Sequence, residues 1–193
     1  EDGVERPILR FEAPVSREAR PTTVVLVVDR SGSMREEDRI GGLKRAVASF
    51  LEGLPQGSRV AVIAFGTGVD LVCPFTEDFD RVRASVDRLV PVGATRYYDA
   101  VAEALNLIGR QPGRRAVLAL TDGEDTSSRE ANPDSVIRSA RRLGLPVHTL
   151  GLGSEDEIAS DDLRRLAEAT RGQYYSAREP DRLRAIYEEI AQR

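Results

Sequence analysis

The sequence contains a single cysteine and a single histidine in 193 residues. With only Cys73, no intrachain disulfide can form, and a cysteine that follows an apolar run is typically a small buried hydrophobic residue. One histidine, His148, excludes the usual zinc ligand sets. We interpret it as a packed or capped ring within a strand.

Long apolar segments and basic clusters are also missing. No run approaches the ~20 apolar residues that cross a bilayer, and the N-terminal Glu-Asp-Gly is neither an initiator methionine nor a signal peptide. We therefore expect a part of a longer protein that does not itself insert into a membrane. The net charge is −4 and the basic residues are dispersed, which argues against nucleic acid as a partner. We expect a monomer.

What the chain does contain is a regular alternation of apolar strands and amphipathic helices, on a length that suits one main domain. The pattern predicts strands at Thr23–Val28, Arg59–Phe65, Val69–Cys73, Ala116–Leu120, Val147–Leu152 and Gln173–Ser176. It predicts helices at Ile40–Leu54, Phe79–Leu89, Tyr98–Ile108 and Pro133–Leu143, one around Leu163–Ala167, and a terminal one around Leu183–Ile190.

This alternation predicts an α/β fold: a doubly wound, mostly parallel sheet with helices on both faces. The link Gly66-Thr67-Gly68 is too short for a parallel crossover. The strand after it is therefore predicted to be antiparallel and at an edge of the sheet. Residues 1–20 do not fit the alternation.

Oxygen-bearing side chains follow several of these strands. Asp29, Ser31 and Ser33 lie in a turning loop after the first strand, Thr95 precedes a helix, and Asp122 follows another apolar strand. In open α/β sheets, the loops at the carboxyl ends of the strands converge on a ligand site. The sequence therefore predicts a divalent-cation site at this edge.

The chemistry of these ligands suggests both the ion and its use. Carboxylates, hydroxyls and water suit hard cations, so Mg²⁺ is our first choice, with Mn²⁺ or Ca²⁺ as alternatives. Three neutral hydroxyls would leave the ion electron-poor and able to attract a carboxylate from an Asp or Glu of a partner protein. Direct binding by both aspartates would weaken that attraction.

The segments Val-Val-Asp29-Arg-Ser31-Gly-Ser33-Met, Gly-Ala-Thr95 and Leu-Thr-Asp122-Gly together resemble the metal-ion-dependent adhesion site of von Willebrand factor A-type domains. The resemblance covers about Pro21 to Gln192. It implies a Rossmann-like sheet in a domain spanning 21–193. It also implies that Ser31, Ser33 and Thr95 bind the ion while Asp29 and Asp122 bind directly or through water.

The beginning of the chain and the segment Asp122-Gly-Glu-Asp-Thr126 resemble bacterial members that follow a β-rich segment in secreted or envelope proteins. Residues 1–20 are then expected to be the end of such a preceding domain. This favours an extracytoplasmic location, although the family also has intracellular members that work with chaperone-type ATPases. By the same resemblance, the terminal helix is expected to shift when ligation at the metal changes.

Each part of the pattern also has a plainer interpretation. The loop from Asp29 to Ser33 alone is equally typical of helix capping, and Thr95 and Asp99 also suit capping roles. Glu124 and Asp125 are expected to lie on a solvated surface. Of Tyr97 and Tyr98, one is expected to pack inward and the other to contact a partner.

Two other functions compete with binding. A hydrolase could use a metal-bound water, but the chain has no nucleophile elbow, phosphate-binding loop or His-Glu-x-x-His motif. A haloacid-dehalogenase-like phosphatase needs an aspartate where Ser31 stands. The domain could also be structural with a vestigial site. We expect a binding module with no catalytic residues.

Overall fold

The computed structural model describes residues 20–122, 125–153 and 160–176. Its strands are β1 (Thr23–Asp29), β2 (Arg59–Phe65), β3 (Val69–Thr76), β4 (Arg115–Thr121), β5 (Val147–Gly151) and β6 (Tyr174–Ser176). Its helices are α1 (Arg39–Gly53), α2 (Phe79–Asp87), α3 (Tyr97–Gly109), α4 (Pro133–Leu143) and α5 (Ser160–Ala169), with a 3-10 helix at Gly32–Asp38.

The strands form one sheet in the order β3-β2-β1-β4-β5-β6. All neighbouring pairs are parallel except β2 and β3, which are antiparallel. The three-residue turn between β2 and β3 allows only this arrangement, because a parallel pair needs a long crossover. The predicted mostly parallel sheet with an antiparallel edge strand is confirmed.

Both faces of the sheet are covered by helices. Val24, Leu26 and Val28 of β1 pack in one core with residues of α1 and α2. Val25 and Val27 pack in the other core with residues of α3, α4 and α5. Burial on both faces explains why β1 and β4 read as continuous apolar runs instead of alternating with polar residues.

The structure extends or shortens several predicted elements. β3 continues to Thr76 instead of Cys73, α2 ends at Asp87 instead of Leu89, and α3 begins one residue early, at Tyr97. The 3-10 helix was not predicted. Residues 1–19 and the predicted terminal helix lie outside the described residues. Within the described ranges, no helix is both long and apolar enough to span a bilayer.

The connections place a ligand position between β1 and β4. From β1 the chain crosses to β2 on one side, and after β3 it crosses to β4 on the other side of β1. In open α/β sheets, ligands bind at such a reversal, outside the carboxyl ends of the strands. Asp29 ends β1 and Asp122 directly follows β4, so both candidate aspartates lie at this position.

One test of local stability concerns the start of α4, where Asn132 and Ser135 cap each other reciprocally and Pro133 begins the helix. The side chain of Asn132 accepts a hydrogen bond from the Ser135 backbone at 3.0 Å. Asn132→Ala should lower the free energy of unfolding by about 1 kcal/mol, because the cap is lost. Unfolding both proteins in urea measures this difference in the free energy of unfolding. The same substitution at Asn106, exposed within α3, should cost nothing, and an equal loss there would contradict the capping role.

Candidate metal centre

Asp29 is buried at the end of β1 and hydrogen-bonded through both carboxylate oxygens. Its Oδ1 accepts from the backbone N–H of Ser31 at 2.7 Å, and its Oδ2 accepts from the hydroxyl of Thr121 at 2.6 Å. The first bond folds the loop back over the strand end, and the second ties β1 to β4. Each oxygen keeps a further lone pair that can bind a cation.

Burial raises the pKa of Asp29 from its ordinary 3.8 to about 6. The hydrogen bonds from Ser31 and Thr121 oppose the rise, and the nearby charge of Asp122 adds to it. The protein therefore holds this carboxyl group where its charged form is costly. A cation beside it would relieve that cost.

Ser31, Ser33 and Asp122 continue the cluster. The hydroxyls of Ser31 and Ser33 lie 3.1 Å apart, and the Ser33 hydroxyl donates to Oδ1 of Asp122 at 3.0 Å. Asp122 is buried, like Asp29 and Ser31. The structure thus brings four of the five predicted residues into one hydrogen-bonded group at the edge of the sheet.

Thr95 reaches this edge on a third loop. The backbone N–H of Val92 donates to the carbonyl of Arg30 at 2.7 Å, and that of Gly32 donates to the carbonyl of Gly93 at 2.9 Å. These bonds fasten the loop before Thr95 to the loop after Asp29. Among the described residues, the hydrogen bonds of Thr95 are made by its backbone: its N–H donates to the hydroxyl of Thr126, and its carbonyl accepts from the backbone of Thr126 and Ser127. Its hydroxyl makes no hydrogen bond within that part of the chain.

Arg39 is a member of the cluster that the sequence did not reveal. Its Nη1 donates to Oδ2 of Asp122 at 3.0 Å, and its Nη2 lies 3.7 Å from a carboxylate oxygen of Glu36. The side chain is 8% exposed, so a guanidinium faces the buried aspartate with little water between them. No motif marks Arg39, because one arginine after an acidic run at the start of a helix is common.

Asp125 is half-buried and engaged in hydrogen bonds, so the prediction of a fully solvated charge is wrong for it. Its Oδ1 accepts from the backbone N–H of Tyr97 at 2.8 Å and of Tyr98 at 3.4 Å, and it also binds the hydroxyl of Ser128. It therefore caps α3 from another loop, which is the alternative role that the sequence left open for Thr95. The residue at the N-cap position is Arg96. Glu124 lies outside the described residues.

The sequence suits Asp99 to a capping role, but its described hydrogen bonds hold the loop before α4, whose N-cap is Asn132. Its carboxylate accepts from the backbone N–H groups of Arg129, Glu130 and Ala131 and from the side chain of Arg96. Burial acts to raise the pKa of Asp99, but these hydrogen bonds outweigh it and hold the pKa below its ordinary value. Asp99 and Asp125 together fix the loop after β4 to the beginning of α3.

Tyr97 and Tyr98 are both buried, so the prediction that one of them contacts a partner is wrong. Their rings pack edge to face at 5.1 Å, and Tyr97 also packs on Phe65 at 5.9 Å. Burial raises the pKa of Tyr97 well above its ordinary value. Both rings belong to the core that packs with α3, α4 and α5.

His148 and Cys73 are packed, as predicted. The His148 ring is buried, accepts a hydrogen bond from the backbone of Gln173 at 3.3 Å and stacks on Tyr175. Cys73 is a free, buried thiol on β3. Neither residue lies at the candidate metal centre.

The donor chemistry of the cluster fits a hard divalent cation. Two buried carboxylates and three hydroxyl-bearing residues offer oxygen alone, which suits Mg²⁺, Mn²⁺ or Ca²⁺ and disfavours zinc. Among the described residues, no group of three or more His, Cys, Asp or Glu side chains forms an alternative metal site. A site of two aspartates and several hydroxyls is a different type from such clusters.

A cleft of about 1000 Å³ lies at the opposite end of the strands, around Arg115, Arg141 and Pro146. Two of its arginines already have structural roles there: Arg115 donates to the carbonyl of Gly109 and Arg141 to that of Ala169, at the ends of α3 and α5. Their positive charge therefore stabilises helix C-termini, and the aspartate cluster remains the candidate functional centre.

The raised pKa of Asp29 gives a pH dependence that can be measured in EDTA. Between pH 4 and 6 the unfolded chain has lost the proton that folded Asp29 keeps, so the free energy of unfolding falls as pH rises. The fall should total about 3 kcal/mol and level off above pH 6. Asp29→Asn should remove it, whereas Asp80→Asn, an exposed carboxylate on α2, should not. An unchanged profile in Asp29→Asn would contradict this assignment.

Comparison of the sequence with known protein families and proteins identifies the type of domain. Residues 24–124, just over half of the chain, match the model of the von Willebrand factor type A domain. A UPF0353 protein of Mycobacterium sp. (strain KMS) is 26% identical over 88% of this chain and 59% of the relative. The chain thus spans about three fifths of the length of the curated relatives it matches.

Solved structures share the fold. An aerotolerance-related membrane protein from Bacteroides fragilis NCTC 9343 superposes with a TM-score of 0.73 at 20% identity, over 89% of this chain and 100% of that one. The pilus adhesin SpaC from Lactobacillus rhamnosus GG superposes with a TM-score of 0.66 at 16% identity, over 91% and 31%. At these identities the likeness concerns the fold alone. The family model matches more than half of the chain, and the sheet order agrees with that match. The chain therefore belongs to the von Willebrand factor type A domain family.

Proposed function

We propose that this chain is a divalent-cation-dependent protein-binding module with an intact metal-ion-dependent adhesion site. The ligands are Asp29, Ser31, Ser33, Thr95 and Asp122, and the ion is Mg²⁺, with Mn²⁺ or Ca²⁺ as alternatives. The observation that carries the proposal is the hydrogen-bonded group of two buried carboxylates and two serine hydroxyls between β1 and β4.

The proposal accounts for the cost of that group. Two acidic side chains are buried close together, and burial raises the pKa of one of them. Such an arrangement persists where a positive charge compensates it. When bound, the cation would supply an electrophilic position for a carboxylate of an Asp or Glu on a partner protein.

Arg39 affects how much of the cation's positive charge would remain to attract a partner's carboxylate. Its guanidinium pairs with Asp122 at 3.0 Å and therefore offsets the charge of that aspartate. Asp29 has no such ion pair among the described residues. Arg39 thus reduces the negative charge available to a cation, which weakens cation binding but preserves attraction for an external carboxylate.

Binding is favoured over catalysis because the described residues of the site include no histidine or third carboxylate to act as a general base. The solved structures with this fold include a pilus adhesin and an aerotolerance-related membrane protein. They support an adhesion-type role and an extracytoplasmic location for this chain, which we propose together with the binding function.

Removing one hydroxyl tests the metal site. Thr95→Val should lower Mn²⁺ affinity at least tenfold by electron paramagnetic resonance, because a ligand is lost while the side chain keeps its shape. Thr67→Val, on the exposed turn beside this loop, is the control and should bind normally. Equal affinity for Thr95→Val and wild type would exclude Thr95 as a ligand.

The same preparations separate the competing functions. Mg²⁺ should raise the thermal midpoint of the wild type and not that of Asp29→Ala. Absence of any cation effect would favour a structural domain with a vestigial site. Phosphatase or peptidase turnover that requires metal and is lost in Asp29→Ala would replace the binding function with a hydrolase.

Arg39→Gln tests the charge argument. It should raise Mn²⁺ affinity about tenfold, because a positive charge beside Asp122 is removed. Without metal it should destabilise the fold by about 3 kcal/mol, since a buried carboxylate loses its partner. Arg45→Gln removes the same charge from an exposed position on α1 and should change neither quantity. Unchanged or weaker Mn²⁺ binding by a folded Arg39→Gln protein would contradict the argument.

A further inference from the structure

The cleft at the end of the sheet opposite the aspartate cluster gathers positive charge. Its volume is about 1000 Å³, and the charged side chains among its described lining residues are Arg114, Arg115, Arg141, Glu168 and Arg171. The whole chain has a net charge of −4, and its arginines are dispersed along the sequence. The fold therefore brings arginines from three separate loops, those before β4, β5 and β6, to one place.

The helix ends at this cleft offset only part of that charge. The helices α3, α4 and α5 each end in the loop before one of these strands, and a helix C-terminus carries roughly half a negative charge. Three such ends and Glu168 together offset roughly 2.5 of the four positive charges on the lining arginines. Among the described residues, Arg115 and Arg141 form no ion pair with a carboxylate. An excess of positive charge therefore remains in the cleft.

Hydrogen bonds to helix ends hold these two arginines in place. Nη1 of Arg115 donates to the carbonyl of Gly109 at 3.1 Å, and Nε of Arg141 donates to the carbonyl of Ala169 at 2.6 Å. A guanidinium carries five N–H donors, so one such bond orients the side chain and leaves further donors for a ligand. Because both side chains are already oriented, a ligand would bind them with little further loss of side-chain freedom.

The size and chemistry of the cleft indicate the class of ligand. A phosphate group presents several oxygens and up to two negative charges, so it can accept paired hydrogen bonds from more than one arginine. The volume lies at the upper end of small-molecule sites, about 300–1000 Å³, and a lone phosphate ion would leave most of it empty. Apolar side chains, including Ala116, Leu145 and Pro146, line the rest of the cleft. They suit the organic part of a phosphate ester.

We propose that this cleft is a second binding site, which takes an organic phosphate. Arg115 and Arg141 supply donors to the phosphate group, and the organic part packs on the apolar lining. The ligand is either a soluble phosphate ester or the headgroup of a phospholipid, because the two share this chemistry. The site lies at the opposite end of the strands from Asp29 and Asp122, so it needs no cation and does not rest on the proposed function.

A titration with phenyl phosphate tests the site directly. The ¹⁵N-labelled protein is kept in EDTA, so that no divalent cation can bind the probe. The amide signals of Gly113 and Gly144, which line the cleft, should shift, and those of Gly32 and Gly93 at the other end of the sheet should not. Benzoate, with one charge and two oxygens, should bind about tenfold more weakly. Equal affinities for the two probes, or shifts only at Gly32 and Gly93, would overturn the proposal.

The variants identify the arginines that bind. Arg115→Gln/Arg141→Gln should weaken phenyl phosphate binding at least tenfold, because two charged donors are lost. Arg115→Lys/Arg141→Lys keeps both charges and a donor for each helix end, so it should fold and bind about fivefold more weakly. Arg88→Gln is the control, since Arg88 is exposed at the end of α2 and does not line the cleft. It should bind as the wild type does. Unchanged affinity in the folded lysine variant would contradict the assignment.

A vesicle assay distinguishes the two sources of the phosphate. If the ligand is a headgroup, the chain should sediment with vesicles of phosphatidylglycerol and phosphatidylcholine, and Arg115→Gln/Arg141→Gln should abolish this. Phenyl phosphate binding without sedimentation would support a soluble ester. Failure to bind either probe would overturn the site and leave the cation-dependent function, which is measured with Mn²⁺ at the other end of the sheet, unaffected.

Discussion

The burial of two carboxylates side by side at the ends of β1 and β4 is the constraint on which the rest of this edge depends. Asp29 and Asp122 lie where the sheet reverses its winding, and neither is in contact with bulk water. Burying like charges together is unfavourable, so the neighbouring groups must compensate. The surrounding hydroxyls and backbone N–H groups, and one guanidinium, are arranged to do so.

Compensation differs between the two aspartates. Asp122 has an ion pair with Arg39, whereas Asp29 is bound by neutral donors and its pKa rises to about 6. The protein thus neutralises one carboxylate internally and leaves the other in need of a positive charge. If a cation binds as proposed, this asymmetry would leave part of its charge uncompensated by the protein, so that an external carboxylate could be attracted to it.

The sequence predicted the sheet well because buried parallel strands and three-residue turns leave few alternatives, as β1 and the Gly66–Gly68 link illustrate. It also predicted that Asp29, Ser31, Ser33 and Asp122 meet. It could not predict Arg39, because an ion pair across 83 positions leaves no local pattern. For the same reason Asp125 was misread: its hydrogen bonds to Tyr97 and Tyr98 are set by tertiary structure, and composition alone suggested a solvated loop.

Hydrogen bonds and buried rings hold the loops at this edge in place. Asp125 and Asp99 fasten the loop after β4 to α3, and Tyr97 and Tyr98 fill the space beneath it. Bonds from Val92 and Gly32 join the Thr95 loop to the Asp29 loop. Because the three loops are fixed in this way before any ligand arrives, binding at this edge would carry no large ordering cost, and the affinity would depend on the groups that the loops present.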